Sequence, residues 1–260
     1  MLKIKQYLLL GLLALFLPPI AVAEEWQAQS TDKQLAVMEL FTSEGCGLCP
    51  AADRWVQRLP QQGITEEQLI VLGFHIDYLN DAKGWIDRFA KPLFSERQRQ
   101  LARLNLYQTV FTPEIFISGE VVHNWQKHGI DVIEFVNSFA PIAHIKLNVE
   151  KQASQLHVSS KISVSGDENR DYSKLYLAIT EDNIVSEIHG GDNIGAIFNH
   201  QNLVRAWLGP FDLDKDGETE LNTQIALDQD WDLNNLKLVA VVQNLYDGYV
   251  LQGLSLPLSN

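Results

Sequence analysis

Residues 35–59 read Leu-Ala-Val-Met-Glu-Leu-Phe-Thr-Ser-Glu-Gly-Cys-Gly-Leu-Cys-Pro-Ala-Ala-Asp-Arg-Trp-Val-Gln-Arg-Leu, and they predict a strand, a turn and a helix in immediate succession. The apolar run at 35–41 is typical of a buried strand, and the polar and glycine residues at 42–45 indicate a turn. Pro50 is favourable in the first turn of a helix, and the apolar residues that follow recur on one helical face. Cys46 is therefore expected where a strand ends and a helix begins.

The sequence contains two cysteines, Cys46 and Cys49. A disulfide between residues so close in sequence would close a very small loop and stabilise the fold little, because that stabilisation grows with loop length. A close pair suits thiol–disulfide exchange instead, since the second thiol can resolve a mixed disulfide formed by the first. The helix N-terminus would stabilise a thiolate at Cys46. Cys49, about one turn further on, is expected to be the more buried, resolving thiol.

Further elements follow the cysteine pair. Residues 71–77 predict a central strand of a parallel α/β sheet, and residues 85–104 have helical periodicity. A strand over 110–119 includes Pro113 near its start, where proline is tolerated, and Gly119 with Glu120 predicts a hairpin turn. Apolar residues at helical spacing over 130–140 predict a last helix. The predicted fold class of residues 24–143 is therefore α/β.

This element order, with the CxxC pair and the Thr112–Pro113 step, resembles the thioredoxin fold, in which a proline in cis faces the active-site disulfide. The sequence is also similar to a family of exported bacterial proteins of unknown function that resemble thioredoxins. The similarity is carried by residues 39–50, 74–78, 111–115, 191–195 and 200–205. The resemblance implies a thioredoxin-like domain, but it brings no established reaction with it.

The sequence differs from the common thioredoxin site at two places, and both differences affect which substrate is chosen and how oxidising the disulfide is. Gly45 stands where a tryptophan usually precedes the first cysteine, and Gly47 with Leu48 replaces the usual Gly-Pro. In the last of the similar stretches, His200 and Arg205 have no nucleophile near them in sequence. They are interpreted as residues of domain packing or of an interdomain contact, and a binding or structural network is the alternative.

The resemblance assigns roles to several other residues. It implies a cis Thr112–Pro113 bond, with Thr112 and Pro113 placed to bind a substrate. Glu39 resembles the buried acid that relays the proton of the resolving thiol, and the alternative is a strand-end carboxylate that faces solvent. His75, in an apolar strand, and Asp77, at the end of that strand, are candidates for supporting the site. A core histidine and an ordinary loop-start residue are the simpler interpretations of these two.

The first 23 residues predict a signal peptide. Lys3 and Lys5 form a positive start, residues 7–20 form an apolar run, and residues 21–23 fit a small-residue cleavage site. Nothing further along approaches about 20 continuous apolar residues, so no membrane insertion is expected after cleavage. The expected location is an exported compartment, the bacterial periplasm, where disulfides form and persist.

From residue 144 the pattern changes to short segments in which apolar and polar residues alternate. About seven or eight such strands favour an all-β sandwich domain. Asp212, Asp214 and Asp216 match the start of a calcium loop, but Thr223 stands where the pattern requires glutamate, so an acidic hairpin loop is the preferred interpretation. The expected organisation is a signal peptide (1–23), a thioredoxin-like domain (24–143) and a β-sandwich domain (144–260).

The net charge of −13 and the pI near 4.9 leave no basic surface for nucleic acid or for anionic membranes. The predicted function is that of an exported thiol–disulfide oxidoreductase-like protein that exchanges disulfides with protein thiols or disulfides of an unidentified partner. Cys46, Cys49 and Glu39 are its predicted catalytic residues, and the prediction includes no cofactor and no resident metal. Two alternatives stay open. In one, the cysteine pair and His75 hold a soft ion such as Cu(I). In the other, the protein is a structural envelope component without exchange activity.

Overall fold

The computed structural model describes residues 24–81 and 84–259, so the predicted signal peptide lies outside the described residues. Its helices are α1 (Cys49–Arg58), α2 (Pro92–Leu104), α3 (Trp125–Asn137) and α4 (Asp167–Arg170). Short 3₁₀ helices cover Leu59–Gln62, Gly191–Asn193 and Leu233–Asn235. The strands are β1 (Glu24–Gln29), β2 (Ala36–Thr42), β3 (Leu69–His75), β4 (Glu114–Ile117), β5 (Glu120–Val121), β6 (Ala143–Gln152), β7 (Gln155–Val164), β8 (Ser173–Glu181), β9 (Ile184–Glu187), β10 (Ile197–His200), β11 (Leu203–Asp212), β12 (Glu218–Ala226), β13 (Leu236–Asn244) and β14 (Val250–Pro257).

An eight-stranded mixed sheet crosses the molecule in the order β14-β13-β8-β11-β3-β2-β4-β5. Strand β3 pairs in parallel with β2 and with β11, and the other neighbours are antiparallel. A four-stranded antiparallel sheet has the order β1-β6-β7-β12, and β9 and β10 form a separate hairpin. The large sheet thus takes strands from both sides of residue 143.

Three apolar clusters cover the two faces of the large sheet. On one face, α2 packs against the sheet, where Phe41, Phe74, Phe94 and Tyr176 belong to one core. On the other face, α1 and α3 cover β2, β3 and β4. The four-stranded sheet covers β8, β13 and β14 on that second face, so the molecule is a sheet-on-sheet sandwich at one end and a helix-covered sheet at the other.

Gly73 lies in β3 at its pairing with β11, where strands from before residue 143 adjoin strands from after it. Its backbone N–H donates to the carbonyl oxygen of Asn202 over 2.9 Å, and Leu203 of β11 is its register partner. A Cβ atom at this position would lie 3.3 Å from that carbonyl oxygen, which is tighter than an ordinary contact. The glycine therefore lets β11 approach β3 closely, and this pairing joins the two ends into one sheet.

The predicted fold class, an α/β thioredoxin-like domain followed by an all-β sandwich domain, is wrong. The part of the chain that the structure describes is mostly β-sheet with few helices, and it forms no separate α/β domain. Hydrophobic periodicity identified many of the strands, but it does not say which strands become neighbours. The pairing of β3 with β11 and of β11 with β8 merges what the sequence pattern divided into two sheets.

Several local predictions are confirmed, and one helix boundary is wrong. The strand before the cysteines, the helix after them and the hairpin at Gly119 are present. The helix predicted from residue 85 begins only at Pro92, because Lys91 is still extended. The acidic hairpin loop between β11 and β12 is also confirmed, with the Asp212 carboxylate 2.6 Å from the Lys174 Nζ atom and Asp216 accepting from the backbone of Glu218. No helix in the described ranges is long and apolar enough to cross a membrane.

Candidate functional site

Cys46 and Cys49 form a disulfide at the junction of β2 and α1, with 5.4 Å between their Cα atoms. Cys46 lies in the loop and Cys49 is the first residue of the helix, followed by Pro50 at a position that favours proline. Both side chains are buried, and Cys49 (1% exposed) is more buried than Cys46 (7%), as predicted. The two residues between them, Gly47 and Leu48, are exposed, so the loop between the cysteines is the accessible part of the site.

The tip of the hairpin formed by β9 and β10 lies against one side of this disulfide loop and forms a partial cover, which leaves Gly47 and Leu48 exposed. The Asn193 side-chain amide donates to the carbonyl oxygens of Glu44 (2.8 Å) and Cys46 (2.9 Å). A Cβ atom on Gly47 would lie 3.0 Å from the Asp192 Cβ atom, so the hairpin loop and the disulfide loop are in direct contact. Strands β8 and β11, which flank the hairpin in sequence, are central in the large sheet. Strands β8 and β11 therefore hold the β9–β10 hairpin in place beside the disulfide loop.

Glu44, two residues before Cys46, is almost fully buried and accepts hydrogen bonds from three sides. Its carboxylate oxygens are 3.0 Å from the Trp85 Nε1 atom and 3.0 Å from the His200 Nε2 atom. Burial pushes the Glu44 pKa upward, but the hydrogen bonds from His200, Ser186 and Trp85 outweigh burial and hold it below its ordinary value. Burial also lowers the pKa of His200, so this pair consists of a carboxylate and a neutral imidazole that donates from Nε2.

His75 and Asp87 form a second buried pair next to the first. The His75 Nδ1 atom lies 2.6 Å from the Asp87 Oδ2 atom, and the same oxygen accepts from the Glu44 backbone N–H over 2.8 Å. Burial opposes both charges, but the mutual attraction prevails and raises the pKa of His75 while it lowers the pKa of Asp87. The His75 ring also meets the His200 ring edge to face, with 4.9 Å between centroids. The two pairs therefore form one network that holds the loop before Cys46.

Asp53 adds a third carboxyl group, one helical turn after Cys49. Burial raises the Asp53 pKa to about 6, although the positive charges of His75 and Arg54 act in the opposite direction. Residues four apart lie on the same helical face, so Asp53 shares its face of α1 with Cys49. At neutral pH, Asp53 is an ionised carboxylate held in an environment that disfavours its charge.

A cavity of about 520 Å³ opens between α1, β3 and the β10 hairpin strand. Its wall includes Asp53 and Arg54 from the helix, Thr42 and His75 from the sheet, and His200 from the hairpin. The lining also contains the polar residues Gln57, Asn193, Asn199 and Gln201 and apolar residues of the strands and hairpin, which include Leu40, Val71, Ala196, Ile197, Phe198 and Leu203. Such a volume, with partly apolar walls and a few titratable groups, has the properties of a ligand-binding pocket.

Glu39, the predicted proton relay, does not belong to this site. It alternates with Leu40 along β2 and belongs to the face covered by α2, whereas Leu40 packs beneath α1. Both Glu39 carboxylate oxygens accept from the Arg97 guanidinium group of α2, at 2.7 and 2.8 Å. A buried bidentate ion pair on the opposite face of the sheet fixes a helix and does not reach the cysteines. The prediction that Glu39 is catalytic is therefore corrected.

The other predicted residues are distributed around the same edge of the sheet. The Thr112–Pro113 bond is cis, as predicted. The next residue, Glu114, pairs with Phe41 near the end of β2, so Thr112 and Pro113 lie at the edge from which the disulfide loop departs. Asp77 follows β3 at that edge, where its carboxylate accepts a hydrogen bond from the Ser95 hydroxyl of α2.

Sequence reasoning missed several residues of the network. Asp87 and Trp85 lie in a stretch predicted to be helical, and nothing in a loop carboxylate predicts that it will be buried against a histidine. His200 was interpreted as a packing residue, and its contact with Glu44 joins elements 156 positions apart. Its position in one of the stretches that resemble the family was the available signal. Among residues 24–81 and 84–259, no group of three His, Cys, Asp or Glu side chains is arranged to hold a metal ion.

The fold and the site define a mixed-sheet protein with a CxxC disulfide beneath a hairpin cover. Residues 37–243 match the model of the family described as a protein of unknown function, DUF1223, and the chain belongs to this family. The predicted similarity to a family of unknown function is thereby confirmed. No curated protein matches the sequence.

Two solved structures are similar to this chain. The crystal structure of protein AGR_C_4864 from Agrobacterium tumefaciens is 18% identical, with a TM-score of 0.58, and the similarity covers 87% of this chain and 96% of that one. HBP35 of Porphyromonas gingivalis is 16% identical, with a TM-score of 0.68, over 86% of this chain and 75% of that one. At these identities the similarity concerns the fold alone.

Proposed function

We propose that this protein exchanges disulfides with a partner protein through Cys46 and Cys49, and that it acts in an exported compartment. The observation that carries the proposal is the Cys46–Cys49 disulfide itself, which joins residues only three positions apart in sequence. A loop of this size contributes on the order of 2 kcal/mol to stability in the chain-entropy model. The fold is held by three apolar clusters, so structural reinforcement is a weak reason for this bond.

The chemistry is an exchange between two dithiol–disulfide pairs. A thiolate of the reduced partner attacks the Cys46 sulfur, which is the more exposed of the two, and the Cys46–Cys49 bond breaks as the partner–Cys46 bond forms. Cys49 leaves with the electron pair and takes up a proton. A second thiolate of the partner then attacks the partner's sulfur in the mixed disulfide. The partner's disulfide forms, and Cys46 is released and takes up a proton. The partner ends oxidised by two electrons and this protein ends reduced, and the reverse sequence uses Cys49 to resolve the mixed disulfide.

The surroundings of the loop support an exposed exchange site with a rigid base. Leu48, between the cysteines, is 73% exposed, and Ile194 and Ile197 of the covering hairpin are about equally exposed. Exposed apolar side chains of this kind mark surfaces that bind other proteins. The loop beneath is fixed by Glu44, Asp87 and Asn193 through hydrogen bonds, so a partner would meet a positioned disulfide.

The compartment is part of the same proposal. A signal peptide at residues 1–23 would send the protein to an exported compartment, the bacterial periplasm, where disulfides persist. The acidic chain has a net charge of −13, which favours partners with basic surfaces around their cysteines.

Trapping of mixed disulfides tests the exchange. In Cys49→Ser the resolving thiol is absent, so a partner bound to Cys46 should remain covalently attached and be released by dithiothreitol. The matched variant Cys46→Ser should trap much less, because Cys49 is more buried. In a purified assay, the oxidised protein should oxidise a small reduced test protein at a rate that falls to background in both variants. Absence of mixed disulfides together with absence of exchange in the purified assay would overturn the proposal.

A further inference from the structure

The cavity beside the disulfide contains a polar atom that is buried without a partner. Thr42 is only 4% exposed, and its Oγ1 atom has no hydrogen-bond partner within the described residues. Thr42 lines the cavity. A buried hydroxyl without a partner loses its hydrogen bonds to water and gains none in return, so a ligand that enters the cavity and bonds to this atom would remove the penalty.

Asp53 on the facing helix also lacks a partner. Within residues 24–81 and 84–259, the groups that act on its carboxylate are the charges of His75 and Arg54, and it accepts no hydrogen bond. The His75 charge is already compensated by Asp87 through the 2.6 Å contact. When ionised, Asp53, Asp87 and Glu44 carry three negative charges against the two positive charges of His75 and Arg54, so the set has one net negative charge. A single positive charge in the cavity would neutralise this set.

Neither positive charge forms a hydrogen bond or an ion pair with Asp53 among the described residues. His75 is bound to Asp87, and Arg54 is an exposed residue of the cavity lining. Glu44 is anionic and bound to the neutral His200 ring. The rest of the lining is mixed: Leu40, Val71, Leu203 and Phe198 are apolar, and Gln57, Asn193, Asn199 and Gln201 are polar. A ligand that satisfies all of these groups has a cationic hydrogen-bond donor at one end and an apolar body.

We propose that this cavity is a binding site for a small primary amine with an apolar body, whose ammonium group pairs with Asp53 and reaches the Thr42 hydroxyl. The volume of about 520 Å³ lies within the range of small-molecule sites. Neither this site nor its ligand class depends on disulfide exchange, because the amine makes no contact with sulfur in this proposal. An anionic ligand is disfavoured, since it would add to the net negative charge beside Asp53.

The test uses two probes of the same shape, 2-phenylethylamine and 2-phenylethanol, titrated into the full-length mature protein by calorimetry or by NMR. The amine is expected to bind at least about tenfold more tightly than the alcohol, because only the amine forms a charge-assisted hydrogen bond. Asp53→Asn should remove this preference, and Thr42→Val should weaken amine binding severalfold. Asp131→Asn on α3, an exposed aspartate, is the matched control and should leave both affinities unchanged.

Three results would overturn the proposal: binding of neither probe, equal binding of both probes, or amine binding that persists in Asp53→Asn. Each variant is first checked for folding by its circular dichroism spectrum and its unfolding transition. Thr42→Val is nearly isosteric, so it keeps the test meaningful even if Asp53→Asn changes stability.

Discussion

The side chain of Asn193 donates a hydrogen bond of 2.9 Å to the carbonyl oxygen of Cys46, although 147 positions separate the two residues in sequence. This bond ties the tip of the β9–β10 hairpin to the disulfide loop. The same amide donates to the Glu44 carbonyl oxygen, so a single side chain replaces the two partners that these loop carbonyls would otherwise find in water.

Removal of this tie should make the disulfide easier to reduce. In Asn193→Ala the hairpin loses both hydrogen bonds to the disulfide loop, so we expect reduction by a phosphine to become severalfold faster. The measurement is the rate of thiol appearance under native conditions. Asn222→Ala, at an exposed position of β12, should reduce at the wild-type rate. Equal rates in all three proteins would show that the hairpin does not control access.

A larger side chain at Gly47 should have a similar effect through steric contact. A Cβ atom there would meet the Asp192 Cβ and Oδ2 atoms at 3.0 Å, whereas a Cβ atom at Gly45 would be 3.7 Å from its nearest neighbour. Gly47→Ala should therefore displace the hairpin and accelerate reduction, and Gly45→Ala should not. Hydrogen exchange of the backbone amides in the hairpin measures the displacement directly. Unchanged exchange in Gly47→Ala would contradict the close contact.

The buried pair of His75 and Asp87 should give stability a defined pH window. The raised His75 pKa contributes stability that is complete below the ordinary histidine value of 6.5 and is lost as pH rises through the raised pKa. The lowered Asp87 pKa contributes stability that is complete above the ordinary value of 3.8 and is lost as pH falls through the lowered pKa. The pair should therefore stabilise fully between these two ordinary values.

Asp87→Asn should lower the free energy of unfolding by about 3–5 kcal/mol at pH 5.5, because it leaves a buried imidazole without its counter-ion. The loss should shrink at a pH above the raised His75 pKa, where the wild-type imidazole is neutral. Urea unfolding of both proteins, measured in steps upward from pH 5.5, follows this loss. A loss that stays constant over the whole pH range in which the wild type is folded would contradict the titration of His75 in this pair.

Asp53→Asn should have the opposite sign. Burial raises the Asp53 pKa to about 6 from 3.8, so the ionised carboxylate destabilises the fold as pH rises through 6. We expect Asp53→Asn to be more stable than the wild type by about 1–3 kcal/mol at pH 8 and equally stable near pH 3.5. Asp131→Asn again serves as control. A wild type that is the more stable protein at pH 8 would mean that Asp53 has a counter-ion in solution.

The sequence predicted the neighbourhood of the cysteines because that part of the structure is local. The strand, turn and helix around Cys46 follow from residues adjacent in the chain, and the hairpin at Gly119 follows from its turn residues. The fold class could not be predicted in the same way, because it depends on the pairing of β3 with β11 through Gly73 and Leu203. That pairing leaves no periodic signal in the sequence.

In the candidate site, too, local features were predictable from the sequence and long-range contacts were not. The alternation of residues along β2 places Glu39 on one face and Leu40 on the other, but both faces are buried, so the pattern did not indicate which face would meet the cysteines. Asp87 was not predicted as a site residue, because its role depends on a contact with His75 rather than on any feature of its own stretch. Asp53 was visible in the sequence, and its half-buried position, which raises its pKa, distinguishes it from an ordinary helical carboxylate.

The hairpin cover also has a consequence for folding. Asn193 follows Cys46 by 147 positions, so the hairpin reaches the disulfide loop only when distant parts of the chain have folded together. In the unfolded chain the CxxC pair lacks this cover, and we expect an oxidant to reach the two thiols more easily before the hairpin has packed than after it.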